Sequence, residues 1–164
     1  MSARDAWEYA SFVITTLALP FAIVFFAWEQ RKERDNEEEA AYQLLSDAYN
    51  DFLKIVLSNP DLHLRTNDPL LDPTAEQKER MLVIFDMLIS LFERAYLVAY
   101  KPRMSDTERR RWNSWDDYMR EWCQREDFHN VLPLLLRGED PEFQEYIRRI
   151  AAEGRFAPSI PTPQ

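Results

Sequence analysis

The sequence predicts an all-α protein in which a single N-terminal transmembrane helix continues into a soluble four-helix-like bundle. Only two glycines occur in 164 residues, whereas strand-rich folds usually use more of them in turns. Apolar residues recur at intervals of three and four along most of the chain, which is typical of helices with one buried face. One stretch near the N-terminus is uncharged throughout. Together these observations predict helices only, with the first of them in a membrane.

The uncharged stretch runs from Tyr9 to Trp28 and contains twenty residues. A helix of that length spans ~30 Å, the thickness of a bilayer's hydrocarbon core. It exceeds the apolar region of a signal peptide, and no small-residue cleavage site follows it, so residues 1–28 are interpreted as a short tail and a transmembrane helix. Small residues at four-residue spacing indicate a candidate helix–helix contact face: Ser11, Thr15, Ala18 and Ala22.

The basic residues around this stretch predict its orientation. Arg31, Lys32 and Arg34 follow it, and only Arg4 precedes it. Since positive charge is retained on the cytoplasmic side, we expect the N-terminus outside and the C-terminal domain in the cytoplasm. The predicted location is therefore the inner (cell) membrane, with the membrane itself as a partner through one integral span.

Residues 29–41 are charged all round, which predicts an exposed juxtamembrane helical stalk. The bundle domain is expected over residues 42–154. Its first helix continues to Leu57 or Ser58, where Asn59-Pro60 ends it. Residues 60–73 carry three prolines and are interpreted as a loop, which its leucines would allow to pack on the bundle.

Start signals place the remaining helices. Thr74 and Ser105 each begin a capping box, so one helix should run from Thr74 to about Tyr100 and another from Ser105. A shorter piece is expected over residues 128–136, interrupted by Pro133. Asp140 followed by a proline predicts the last helix, with Gly154 as its stop. The proline-rich residues 155–164 are interpreted as a flexible tail.

The composition excludes several classes of function. A net charge of −9 disfavours binding to nucleic acid. Two glycines cannot build a phosphate-binding loop. Glu126 and His129 form only half of the paired motif that a di-iron bundle needs, and Cys123 has no base beside it. We therefore expect no catalytic residues, no metal site and no cofactor.

Two groups of residues remain as candidate sites. The first is a concentration of basic residues on an otherwise acidic domain, interpreted as a candidate interaction patch: Lys101, Arg103, Arg109, Arg110 and Arg111. The second is an aromatic group at helical spacing: Trp112, Trp115, Tyr118 and Trp122. Core packing is the default explanation of this spacing, and an aromatic pocket for a lipid, quinone or pigment is the alternative.

The segment Leu91-Phe92-Glu93-Arg94-Ala95-Tyr96, followed by the three tryptophans, Tyr118 and Asp127-Phe128, resembles a group of uncharacterised bacterial proteins. These proteins have one N-terminal membrane span and a cytoplasmic helical domain with this tryptophan pattern. The resemblance implies a bacterial inner-membrane setting, and it supplies no activity and no site residues.

The resulting expectation is a membrane-anchored, non-enzymatic interaction module. It would act as an accessory subunit of a membrane complex or as a homo-oligomeric scaffold, with a protein partner or with itself. The alternative is a small-ligand or lipid/quinone sensor with an aromatic-lined pocket in the bundle.

Overall fold

The computed structural model describes the backbone of residues 3–66 and 70–154 and the side chains of residues 25–34, 36–66 and 70–153. Within these ranges all regular structure is helical and no strand occurs, so the predicted all-α class is confirmed. The predicted tail, residues 155–164, lies outside the described residues. The elements are α1 (Ala3–Leu57), a 3-10 turn (Pro60–Leu62), α2 (Ala75–Ala99), α3 (Asp106–Cys123), α4 (Glu126–Leu135) and α5 (Pro141–Gly154).

The chain divides into two compact units, Met1–Gln43 and Leu44–Gln164. The first unit holds the N-terminal part of α1, where described aromatic side chains such as Phe26 and Trp28 are exposed. The second unit holds the C-terminal part of α1 together with α2 to α5, and it contains the hydrophobic core. The core and the surfaces considered below therefore belong to the second unit.

The prediction of a membrane-spanning helix is corrected. In the part of the chain that the structure describes, no helix has an apolar stretch long enough to cross a bilayer. In α2, charged residues divide the apolar ones into runs of six or fewer, whereas a span needs ~20 predominantly apolar residues.

This finding overturns the predictions that depended on the span. They are the single-pass anchor, the inner-membrane location with an outer N-terminus and a cytoplasmic domain, and the membrane as an integral partner. The proposed contact face of the span, Ser11, Thr15, Ala18 and Ala22, lies outside the residues whose side chains are described.

The C-terminal end of α1 matches its sequence signals. Leu45, Tyr49, Phe52 and Val56 form one buried stripe, because residues at these intervals share a helix face. Beyond Leu57 the helix cannot continue, since Pro60 lacks an amide hydrogen and restricts the residue before it. The side-chain amide of Asn59 donates to the backbone carbonyl of Ile55 at 2.8 Å. This bond satisfies one of the carbonyls that lack a partner at the end of the helix.

Both predicted capping boxes form. The Thr74 hydroxyl accepts from the backbone amide of Gln77 at 3.2 Å, and the side-chain oxygen of Gln77 accepts from the backbone amide of Thr74 at 3.0 Å. Ser105 and Glu108 repeat this exchange at the start of α3, at 3.3 and 2.7 Å. Each box satisfies two amides that would otherwise lack partners, which explains where α2 and α3 begin.

The start of α5 is also as predicted. One carboxylate oxygen of Asp140 accepts from the amides of Glu142 and Phe143 at 2.9 and 3.0 Å, and Pro141 occupies the first helical position. Gly138 precedes this cap with a φ of 92°, a conformation that other residues rarely adopt. α4 begins slightly earlier than expected and contains Pro133 without breaking.

α2 contacts α3, α4 and α5 in the second unit. Its inner face is fully buried at Leu88, Ile89, Phe92 and Ala95. Among the described residues no charged or polar residue is buried in this core. The described core is therefore apolar.

Candidate functional site

The predicted aromatic group lies within the core. Trp112, Trp115 and Trp122 are 5%, 2% and 1% exposed, and Tyr118 is partly buried. Trp112 packs against Tyr100 and Tyr146, with ring centroids 5.2 and 5.6 Å apart. These edge-to-face contacts are typical of aromatic core packing.

The other members of the group face different neighbours. Tyr118 stacks on Tyr49 of α1 at 4.4 Å, and Trp115 meets the same ring at 5.7 Å. Trp122 is enclosed by aromatic rings from three elements, at centroid distances of 5.7, 6.2 and 6.2 Å: Phe52, Phe85 and Phe128. The four predicted pocket residues thus connect α3 with α1, α2, α4 and α5, and their rings fill the space between these helices.

Cys123 follows Trp122 and is buried, with 4% of its surface exposed. Burial disfavours the charged thiolate and raises the pKa of the Cys123 thiol to about 12. At neutral pH this side chain is a protonated thiol packed against the core, which is the state of a structural cysteine.

In the predicted basic patch, some side chains form contacts within the protein and others are exposed to solvent. The Lys101 ammonium donates to Glu108 at 2.6 Å, and this contact lowers the pKa of the Glu108 carboxyl to about 2. Arg103 and Arg109 are exposed. Arg110 is exposed too, and its Nε donates to the Asp106 carbonyl at 3.3 Å.

Helix geometry separates the three consecutive arginines of this patch. Successive residues of an α-helix point about 100° apart, so Arg109, Arg110 and Arg111 cannot share one face. Arg111 turns toward the core side and is half-buried, while Arg109 and Arg110 remain exposed. The structure therefore leaves Arg103, Arg109 and Arg110 as the accessible cations of the predicted patch.

In the described part of the chain, the half motif of Glu126 and His129 is not joined by further residues that could ligate a metal ion. In the described ranges no group of three or more His, Cys, Asp or Glu residues is arranged to hold a metal ion. The other histidine, His63, is exposed at the end of the 3-10 turn, where its φ is 53°.

One groove lies on the surface between α4 and α5. It has a volume of about 340 Å³ and is lined by His129, Leu132, Pro133, Leu136, Arg148, Ala151 and Ala152. The lining is mainly aliphatic, and none of the predicted aromatic residues contributes to it.

An acidic pair that sequence analysis did not identify lies where α2 meets the start of α5. Glu93 accepts a hydrogen bond from the Asp140 amide, and its carboxylate lies beside that of Glu139. Burial, the hydrogen bond with Glu93 and the nearby negative charges raise the pKa of Glu139 to about 7. Glu93 and Glu139 are 46 residues apart in the sequence, so no local motif predicts that they pair.

Arg125 is a second residue that sequence analysis missed. Its guanidinium forms a two-point ion pair with Asp127, at 3.0 and 2.6 Å. The same group donates to the carbonyls of His63, Leu64 and Thr66, at 3.2, 2.9 and 3.3 Å. One side chain therefore attaches the segment after the 3-10 turn to the start of α4.

The outer face of α2 is the largest departure from the expected polar surface. Five large apolar side chains on it are between 37% and 59% exposed: Leu82, Val83, Met87, Leu97 and Val98. Asp86, Ser90 and Arg94 lie between them and are also exposed. We call these eight residues the outer face of α2. Five large apolar side chains exposed on one helix face, with polar residues between them, favour an interaction site over an ordinary solvated surface.

Comparison of the chain with models of known protein families, with curated proteins and with solved structures finds no significant match.

Proposed function

We propose that this protein is a non-enzymatic protein–protein interaction module, which acts as a homo-oligomeric scaffold or as an accessory subunit of a larger complex. The observation that carries the proposal is the outer face of α2, where five large apolar side chains remain in contact with solvent. Removing apolar surface from water contributes about 25 cal/mol per Å². A partner that covers this face gains that free energy without any rearrangement of the core.

The packing of the aromatic residues favours this function over the alternative of a ligand sensor. Trp112, Trp115 and Trp122 are in ring-to-ring contact with their neighbours. A small-molecule pocket needs concave space lined by such rings together with a few placed polar groups. A lipid or quinone would have to displace core contacts in order to bind among them.

The accessible arginines provide a second surface for the same function. Arg109 and Arg110 are exposed near the start of α3, in a chain whose net charge is −9. Cations at a helix N-terminus oppose the helix dipole, and carboxylates of a partner would offset this cost. Reversing Arg109 and Arg110 together to Glu should weaken association with a carboxylate-bearing partner, and unchanged association would remove this surface from the proposal.

Site-specific photo-crosslinking tests the proposal. A photoreactive amino acid replaces Val83 in the full chain, and a matched variant carries it at Glu145, which is exposed on α5. Irradiation of cells that express each variant should give protein adducts from position 83 and far fewer from position 145. Absence of adducts at position 83, or the same adducts at both positions, would overturn the proposed function.

A further inference from the structure

The outer face of α2 has an internal symmetry centred on Ser90. Val83 and Leu97 lie seven residues before and after it, and both are apolar. Leu82 and Val98 lie eight residues away on either side and are also apolar. Asp86 and Arg94 lie four residues away and carry opposite charges. When a second copy of the helix runs in the opposite direction, apolar residues therefore lie opposite apolar residues and Asp86 lies opposite Arg94.

We propose that a second copy of this chain packs on this face, with the two α2 helices antiparallel about a two-fold axis at Ser90. The proposal rests on the proposed function and names its partner. In this arrangement Val83 of each copy lies opposite Leu97 of the other, and Leu82 lies opposite Val98. Such a contact is isologous, because both copies use the same surface.

The two charged residues select this arrangement over a parallel one. Asp86 and Arg94 are exposed and form no hydrogen bond or ion pair with another described residue. They are eight residues apart, about 12 Å along the helix, which is too far for pairing within α2. Around the two-fold axis, Asp86 of each copy lies opposite Arg94 of the other copy, which gives two ion pairs. A parallel pair of helices would place like charges together.

The small side chain at the axis fits the same geometry. Ser90 meets its own counterpart there, and a small residue lets two helices approach closely. Met87 lies opposite Glu93, whose carboxylate is turned away to accept the Asp140 amide. The aliphatic part of Glu93 is then left as the surface that Met87 contacts.

The outer face of α2 is small for an interface between two proteins. From Leu82 to Val98 the helix is about 24 Å long, and a helix is ~10 Å wide. This area is smaller than the ~800 Å² that each partner contributes to a standard interface. We therefore expect a dimer that forms and dissociates readily and whose population depends on concentration.

A cysteine at the axis tests the pairing directly. Ser90→Cys places two thiols opposite each other, and Glu145→Cys supplies an exposed control on α5. The native Cys123 remains in place, because it is buried and protonated. Oxidation of the full-length Ser90→Cys chain by copper phenanthroline should give a disulfide-linked dimer rapidly, and the Glu145→Cys control should give little.

Charge exchange then tests the orientation. In the Ser90→Cys background, Asp86→Arg or Arg94→Asp alone breaks both ion pairs and should slow dimer formation by about fivefold to thirtyfold, if each exposed pair contributes up to ~1 kcal/mol. The double variant Asp86→Arg/Arg94→Asp restores the pairs in reversed order and should recover most of the rate. Thermal unfolding of each variant shows whether a loss reflects the contact or the fold, and either single variant suffices if the other unfolds.

The outcomes separate this inference from the proposed function. If Ser90→Cys forms no dimer while position 83 still gives adducts with other proteins, self-pairing is wrong and the interaction module stands. If the dimer forms but the double exchange restores nothing, the antiparallel register is wrong. Loss of both the dimer and all adducts at position 83 would overturn both.

Discussion

The inner and outer faces of α2 both carry large apolar side chains, yet one is enclosed by the bundle and the other is open to solvent. Phe92 on the inner face is 0% exposed, whereas Leu97, five residues later on the outer face, is 59% exposed. The difference lies in what surrounds each face, because α3, α4 and α5 cover only the inner one. An apolar helix face therefore indicates a contact without showing whether its partner is in the same chain.

The largest expected effect contrasts these faces by truncation. Phe92→Ala removes a buried ring and leaves a cavity, which should lower the free energy of unfolding by about 3–5 kcal/mol. Leu97→Ala removes an exposed side chain and should change it by no more than ~0.5 kcal/mol. Urea unfolding of the full chain measures both, at a protein concentration where it is monomeric. Similar losses for the two variants would contradict the assignment of inner and outer faces.

A second, smaller effect concerns the border between the faces, where Glu93 lies beside Glu139. The folded state raises the pKa of Glu139 from its ordinary 4.5 to about 7. As pH rises above 4.5 the unfolded chain releases this proton first, so stability should fall until the pH passes 7. Melting temperatures between pH 5 and pH 8 measure this loss.

Glu139→Gln should reduce the loss of stability between pH 5 and pH 8, because an amide cannot ionise. Glu145→Gln, on an exposed position of α5, is the matched control and should leave the loss in place. If Glu139→Gln melts with the same pH dependence as the unchanged protein, the acidic pair does not titrate as described.

The smallest expected effect concerns the start of α2, on which both faces of the helix depend. Thr74→Ala removes the hydroxyl that accepts the Gln77 amide at the start of α2. The loss of one helix cap should cost about 1 kcal/mol. Thr74→Ser keeps the hydroxyl and should restore most of the stability in the same unfolding measurement. An Ala variant as stable as the Ser variant would show that the capping box contributes nothing to α2.

Local signals predicted the helices of the second unit because those signals act within a few residues. Thr74, Ser105 and Asp140 each cap the helix that follows them, and Pro60 blocks the helix that precedes it. The buried stripe of α2 was predictable from spacing alone, since residues three and four apart share a face.

The surfaces were not predictable in the same way, because they depend on distant parts of the chain. Whether Trp122 lines a pocket or fills the core depends on Phe52 and Phe85, which come from other helices. The outer face of α2 was overlooked because whether apolar side chains such as Leu82 and Leu97 are covered depends on the other helices and not on their spacing. The Glu93–Glu139 pair has no sequence signature at all.

Arg125 makes the segment after the 3-10 turn tolerant of change in an unusual way. Its guanidinium donates to the carbonyl oxygens of residues 63, 64 and 66, and every amino acid supplies the same carbonyl. Substitutions at His63, Arg65 and Thr66 would therefore leave this attachment intact, while Arg125 and Asp127 admit no equivalent replacement. The attachment itself therefore constrains only Arg125 and Asp127, whereas Leu64 is constrained separately by its burial in the core and His63 by its positive φ.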